Sequence, residues 1–314
     1  MRHGRLLFPT VLLLCALSLN GCSTVTQSET GANITVRVVA TQDFGQKLMF
    51  DDTLEVASGT SAMAALKQVA QVETAYGGGF VKAINGVSSQ RGRDDWFISV
   101  NGIWANVGAL DYVLHDGDIE HWDFHYWGFR MSIPASIGDF PEPFLHGYGG
   151  EVYPTVIVYE NGLEKSARDL EISLKGLGVT DVSTQNSDDL ARSDKQHSNL
   201  ILVCTTDCAL VVELNQVWDR MGFFVHFENG VMVVYNSKGE ATAEFKAGSG
   251  VIQATQSPWN PDGVGVCKNV VLMVSGTDAA GVKSAVDALI NRHDEFQYAC
   301  AVVLADGEII KVPQ

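Results

Sequence analysis

Few side chains in this sequence could do chemistry. Cys204, Cys208, Cys267 and Cys300 lie in the second half, and His121, Asp123 and His125 alternate in the first. Thiols brought together in an exported chain bridge, or they take a soft metal ion. The Cys204-x3-Cys208 spacing suits a zinc ligand pair, but Cys267 and Cys300 stand too far apart in sequence to be its matching partner. Disulfides among the four are therefore the first expectation, with three pairings open and buried thiols as the alternative, and no metal site is predicted. The spacing is also not the C-x-x-C of a thioredoxin-like redox pair.

His121, Asp123 and His125 fall on one face of a strand, with Trp122, Phe124 and Tyr126 on the other. At about 3.3 Å per residue the two histidines stand roughly 13 Å apart, too far to share one ion. The polar face is expected to be solvated and the aromatic face to join the core. The sequence contains no G-x-S-x-G elbow, no H-E-x-x-H and no P-loop. Tyr76-Gly77-Gly78-Gly79 is expected to end a helix and enter a strand, the reverse of a phosphate loop. No catalytic residue is assigned, and the expectation is a binding module rather than an enzyme, with no cofactor of its own.

The elements that would carry these residues follow from periodicity. Trp96, Ile98 and Val100 alternate with Phe97, Ser99 and Asn101, and Asn101-Gly102 then supplies a type I′ hairpin turn. Asp116-Gly117 turns the chain into a strand from Ile119 to about Trp127. Upstream, Ile34–Ala40 and Leu48–Val56 read as strands. Thr60 or Ser61 caps a helix predicted to run to about Glu73, and Phe80–Ile84 is a strand turned at Asn85-Gly86. This predicts an α+β domain over 34–130. Residues 131–150 hold Pro134, Pro141, Pro143 and several glycines, and form a connector whose aromatic side chains pack on something. From 151 to 314 strands alternate with helices, and Asn199–Val203 and Val270–Val274 are continuously apolar, as in buried parallel strands. That pattern predicts a three-layer α/β domain.

Three segments carry a family resemblance. "W-F-I-S-V-N-G … Y-V-L-H-D-G-D-I-E", "T-L-E-V-A-S-G-T-S-A-M-A-A-L-K-Q-V" and "Y-G-G-G-F-V-K-A-I-N-G-V" resemble the transcobalamin-like C-terminal domain, the β domain of cobalamin carriers, over roughly Ile34 to Trp127. The resemblance implies a β-grasp-like fold and cobalamin or another corrinoid as ligand, handed on to an uptake transporter. A site for such a planar ligand would draw on Tyr76, Gly77, Gly78, Trp104, Tyr112 and Trp127, with His125 as an axial cobalt ligand. The segments "N-L-I-L-V-C-T-T-D-C-A-L-V-V-E-L-N" and "V-V-L-M-V-S-G-T-D-A-A-G-V-K-S-A-V" are more loosely similar to modules of archaeal S-layer proteins. They make a structural or adhesive surface protein the alternative, with an exported enzyme third.

The N-terminus sets the compartment. Arg2 and Arg5 precede an apolar run from Leu6 to Leu19 that is too short for a spanning helix. It ends Leu19-Asn20-Gly21-Cys22, which resembles a lipobox, so residues 1–21 are read as a signal peptide and Cys22 as the lipid attachment site. Residues 22–33 then form a flexible tether, and the protein is expected outside the cytoplasm, anchored to the membrane. The chain has 21 basic and 37 acidic residues, and losing the leader removes two arginines and no acid. So acidic a chain lacks the basic footprint of a nucleic-acid binder. Replacing Cys22 by serine is expected to release the protein from membranes or block its processing. Detergent-phase partitioning checks this, and unchanged partitioning would refute the anchor.

Overall fold

The first strand of the chain is β1 (Asn33–Gln42). Val36, Val38 and Ala40 alternate along it into the core. β2 (Lys47–Ala57) pairs with it antiparallel through a tight turn. The chain continues through α1 (Ala62–Val69), β3 (Val72–Ala75), β4 (Phe80–Ile84), β5 (Val87–Ser88), β6 (Asp94–Val100), β7 (Ile103–Trp104) and β8 (Ile119–Tyr126). β8 lies parallel to β1 and antiparallel to β6, which gives a five-stranded sheet in the order β2-β1-β8-β6-β7. The computed structural model describes residue 1, residues 32–89 and residues 92–314. The expected leader, Cys22 and most of the tether lie outside the described residues.

The helix cap is as expected. Ser61 Oγ accepts from the Ala64 N–H at 3.3 Å, in the first turn of α1. The helix stops earlier than expected, because Asn85 Oδ1 takes the Gln71 N–H and Val72 then pairs with Ile84. Residues 72–75 are therefore a strand, and the glycines after Tyr76 join two strands rather than ending a helix. The two Asn-Gly hairpins of the first half adopt positive φ at each residue, 47° and 81° at Asn85-Gly86 and 53° and 74° at Asn101-Gly102.

The second half holds β9 (Thr155–Tyr159), α2 (Glu164–Gly176), β10 (Val182–Asn186), α3 (Arg192–His197), β11 (Asn199–Thr205) and α4 (Ala209–Gln216). It continues with β12 (Val225–Glu228), β13 (Val231–Tyr235), β14 (Ala241–Phe245), β15 (Gly250–Gln256), β16 (Val270–Gly276), α5 (Ala279–Asn291), β17 (Ala301–Ala305) and β18 (Glu308–Val312). Seven strands make one sheet, ordered β10-β9-β11-β16-β15-β17-β18. β10, β9, β11 and β16 run parallel, and β15, β17 and β18 join antiparallel. Period two divides the strand residues. Ile157, Ile201 and Val274 pack with α2 and α5, while Val158, Leu202 and Met273 pack with α4. The whole is a sheet-rich, mixed α/β structure.

Residues 32–314 form one compact unit. Ala135, Ile137, Phe144 and Tyr148 of the connector are buried in the same core as Val36, Trp122 and Leu272. Among the described residues no helix is long and apolar enough to cross a membrane.

The expected disulfides are not present: Cys204, Cys208, Cys267 and Cys300 are all free and buried. Cys267 faces the carbonyls of Ser257 and Asn269, whereas Cys300 packs with Phe44 and Phe224. These two thiols thus sit in separate surroundings. Burial pushes Cys267 up to about 11 and Cys300 to about 12, which leaves both protonated and inert.

Asn101 ties the β6–β7 hairpin to its surroundings. Its Nδ2 donates to Asp118 Oδ1 at 2.8 Å and to the Gly147 carbonyl at 2.7 Å, and its Oδ1 accepts from the Ile119 N–H at 2.8 Å. Asn101→Ala leaves all three groups without a partner in a buried site. The expected cost is about 3 kcal/mol in a denaturant titration, and a loss below about 1 kcal/mol would show that water substitutes freely.

Candidate functional site

Asp43, Phe44 and Gly45, between β1 and β2, all have positive φ, at 56°, 59° and 80°. This turn aims two backbone N–H groups at Asp123 on β8. Phe44 N donates to Oδ2 at 2.9 Å and Gly45 N to Oδ1 at 3.1 Å. Thr41 Oγ1 adds a bond to Oδ1 at 2.6 Å, and His125 Nδ1 lies 2.7 Å from Oδ2. Only glycine fits at position 45, since a Cβ there would stand 1.9 Å from the Tyr298 carbonyl oxygen.

Burial alone would raise the Asp123 carboxyl, but the hydrogen bonds and charges of His125, Thr41 and His121 outweigh it and hold it below the ordinary range. An ionised carboxylate only accepts, so the network assigns the His125 Nδ1 proton to the bond with Asp123. The other nitrogen, Nε2, is buried and has no hydrogen-bond partner among the described residues. The ring itself is clamped between Phe44 and Phe97, with centroids 4.2 and 4.4 Å away and planes within 24° and 14° of parallel.

His121, on the same face, continues the network. Thr41 Oγ1 spends its one proton on Asp123 and so accepts from His121 Nε2 at 2.9 Å. His121 Nδ1 stands 3.3 Å from Asp139 Oδ1. Burial disfavours a charge on His121, but Asp139 outweighs it and raises the imidazole above its ordinary value. The expected solvated face is therefore wrong. His121 and His125 are each 5% exposed, because the connector and residues 298–300 cover this side of the sheet.

A cavity of about 70 Å³ opens over this network. Phe44, Phe97, Trp104, Met131 and Ile133 form apolar walls, and Ser99, Ser136, His121, Asp123 and His125 supply the polar floor, with Tyr298 and Cys300 at the far side. Met131 is 67% exposed at the rim.

Of the residues expected to bind a ligand, Trp104 and His125 are in this cleft. The others are elsewhere. Tyr76 is 91% exposed on the β3–β4 connection, with Gly77 and Gly78 beside it at φ 72° and 98°. Tyr112 is buried against Tyr148, and its hydroxyl accepts from the Gly149 N–H at 2.9 Å. Trp127 donates from Nε1 to Asp95 at 2.9 Å. An axial role for His125 is not what the geometry favours, because two aromatic rings enclose it and the opening of about 70 Å³ beside it is far too small to admit a corrin. Sequence reasoning missed Phe44, Phe97 and Met131. The Asp43-Phe44-Gly45 turn and the alternation through Phe97 were the available signals.

Residues 59–126 match the family model described as a domain of unknown function, DUF4430. None of the curated proteins matches the chain. Several solved structures resemble part of it, among them the following two. Haptocorrin in complex with Cbi is 16% identical over 30% of this chain and 26% of that one, with a TM-score of 0.24. A protein from Ruminococcus gnavus ATCC 29149, described as a candidate metal binding protein, is 18% identical over 29% of this chain and 94% of that one, with a TM-score of 0.22. The chain thus spans about a quarter of haptocorrin's length.

The site and its neighbour Glu120 set a pH dependence. Burial raises Glu120 to about 8 against an ordinary 4.5, with Trp122 Nε1 donating to its Oε1. Folded protein then keeps a proton that unfolded chain releases, so stability falls as pH rises between those values. His121 acts in the same sense, since its raised value gives stability that is full below the ordinary imidazole pKa of about 6.5 and lost as pH rises through the folded value. Asp123 acts oppositely, giving stability that is present above about 3.8 and lost as pH falls through its lowered value. Melting temperature is expected to peak at mildly acidic pH and to decline from about pH 5 to about pH 8. Glu120→Gln should flatten the decline, and a wild-type melting temperature that does not fall over that range would contradict the assignment.

Proposed function

We propose that this protein is a non-catalytic binding module, held outside the cytoplasm by a lipid on Cys22, and that the cleft above His125 is its ligand site. The observation that carries the reading is the His125 Nε2 atom. It is a buried nitrogen with no partner, on a ring fixed by Asp123, Phe44 and Phe97, beside an apolar opening. Unpaired buried polar atoms cost free energy, and a ligand group that pairs with one recovers it. On a neutral ring with its proton on Nδ1, Nε2 accepts, and the matching group is a donor such as an amide or hydroxyl.

We further propose a corrinoid as the ligand, on the strength of the sequence resemblance over Ile34–Trp127. A corrin ring is far larger than a cavity of about 70 Å³. The ring therefore lies across the mouth against Trp104 and Met131, and one of its peripheral amides enters toward His125. Handing the ligand on to an uptake transporter completes the proposal. This arrangement places the cobalt outside the cleft and leaves His125 as a hydrogen-bond acceptor.

Calorimetry of the mature protein with cobalamin and with cobinamide tests the reading. Binding is expected for both, weakened about tenfold or more by Trp104→Ala and by His125→Leu and unchanged by Tyr76→Ala. Absence of binding for both corrinoids would sink the ligand assignment. Binding that survives both cleft substitutions would sink the site.

A further inference from the structure

The second half of the chain carries a cluster that the cleft does not use. β9 and β11 are parallel neighbours, with Val203 opposite Tyr159. From β9 the chain passes through α2 to β10, on the outer side, and from β11 it passes through α4 toward the other side. α2 packs on one face of the sheet and α4 on the opposite face. The two connections part, which opens a crevice at the carboxyl ends of β9 and β11. Such a switch point in a parallel sheet is where ligands of open α/β sheets bind.

Three ligating side chains meet there. Glu160 follows β9, Cys204 is near the end of β11, and Cys208 is the N-cap of α4. One ligand atom from each lies within 4.8 Å of the other two. Around a tetrahedral zinc ion two sulfurs stand about 3.8 Å apart, so this set closes on an ion with shifts of about an ångström. Thr205 holds the carboxylate in place, its N–H and Oγ1 donating to Glu160 Oε2 at 3.1 and 3.0 Å. That pair of bonds is the outer-shell support that metal-ligating carboxylates have, and it leaves Oε1 for a cation. Asp188 and Asp207 add negative charge at the mouth of the crevice.

We propose that Glu160, Cys204 and Cys208 bind one thiophilic divalent cation of the zinc class, with a fourth coordination position open to the crevice. Binding releases the two thiol protons to solvent and forms two metal–sulfur bonds and one metal–oxygen bond. The thiolates select against calcium and magnesium, which take oxygen ligands. Among the described residues Cys267 and Cys300 have no such company, and they stay outside the site.

The test is titration of the reduced mature protein with cobalt(II), followed by zinc(II). Cobalt is expected to bind one per chain with sulfur-to-metal charge-transfer absorption, and zinc to displace it. Glu160→Gln should weaken zinc binding by about tenfold or more, and Cys208→Ser should abolish the charge-transfer band while leaving the far-ultraviolet circular dichroism intact. Trp104→Ala in the cleft should leave both metals unaffected, which separates this site from the one above. Should Cys208→Ser fail to fold, alkylation of the wild-type thiols decides instead. Zinc should protect Cys204 and Cys208 from modification and leave the rates at Cys267 and Cys300 unchanged. Absence of the charge-transfer band, or zinc that gives no protection, would overturn the proposal.

Discussion

The Asp123 carboxylate is the point on which the first half of the molecule depends. Four donors converge on its two oxygens, from the Phe44 and Gly45 backbone, the Thr41 hydroxyl and the His125 ring. They come from β1, from the β1–β2 turn and from β8 itself, so one charge joins two strands and the loop over them. A buried carboxylate is tolerated only when its lone pairs are met, and here they are. The left-handed turn at residues 43–45 follows from this, because no extended chain could present two successive N–H groups to one carboxylate. The fixed orientation of His125 follows as well.

That arrangement makes the cleft a prepared site. Phe44 is brought over the imidazole by the same turn that serves Asp123, and Phe97 closes the other side from β6. The ring is held by packing on both faces and by a hydrogen bond at one edge, which leaves Nε2 on the opposite edge without a partner among the described residues. Preorganisation of this kind spares a ligand the cost of ordering the protein. The connector and the segment before β17 complete the enclosure, so the cleft is built from residues distant in sequence. The thiol corner in the seven-stranded sheet is built by a different rule. There the topology opens a crevice, and the strand ends supply whatever side chains follow them.

Much of the local structure was legible in the sequence. The alternation along β1, β6 and β8, the Asn-Gly turns, the Ser61 cap and the apolar runs of β11 and β16 each depend on neighbours within a few residues. The end of α1 was misjudged because it is set from Asn85, whose side chain takes the Gln71 N–H across the hairpin. The glycine run was misjudged for the same reason. Expecting solvent around His121 and His125 failed because period two tells which residues share a face and says nothing of what covers it.

The sequence by itself determined most of the strands and helices, the cysteine and histidine inventory and the acidic balance, because composition and short-range periodicity carry them. Tertiary structure alone decided that Trp104 and His125 share a cleft while Tyr76, Tyr112 and Trp127 do not. It also decided that Glu160 joins Cys204 and Cys208, and that Cys267 and Cys300 stay apart. The physical reason is that burial and side-chain convergence depend on which strands lie side by side. That order is fixed by long-range packing of the core, and no window of neighbouring residues contains it.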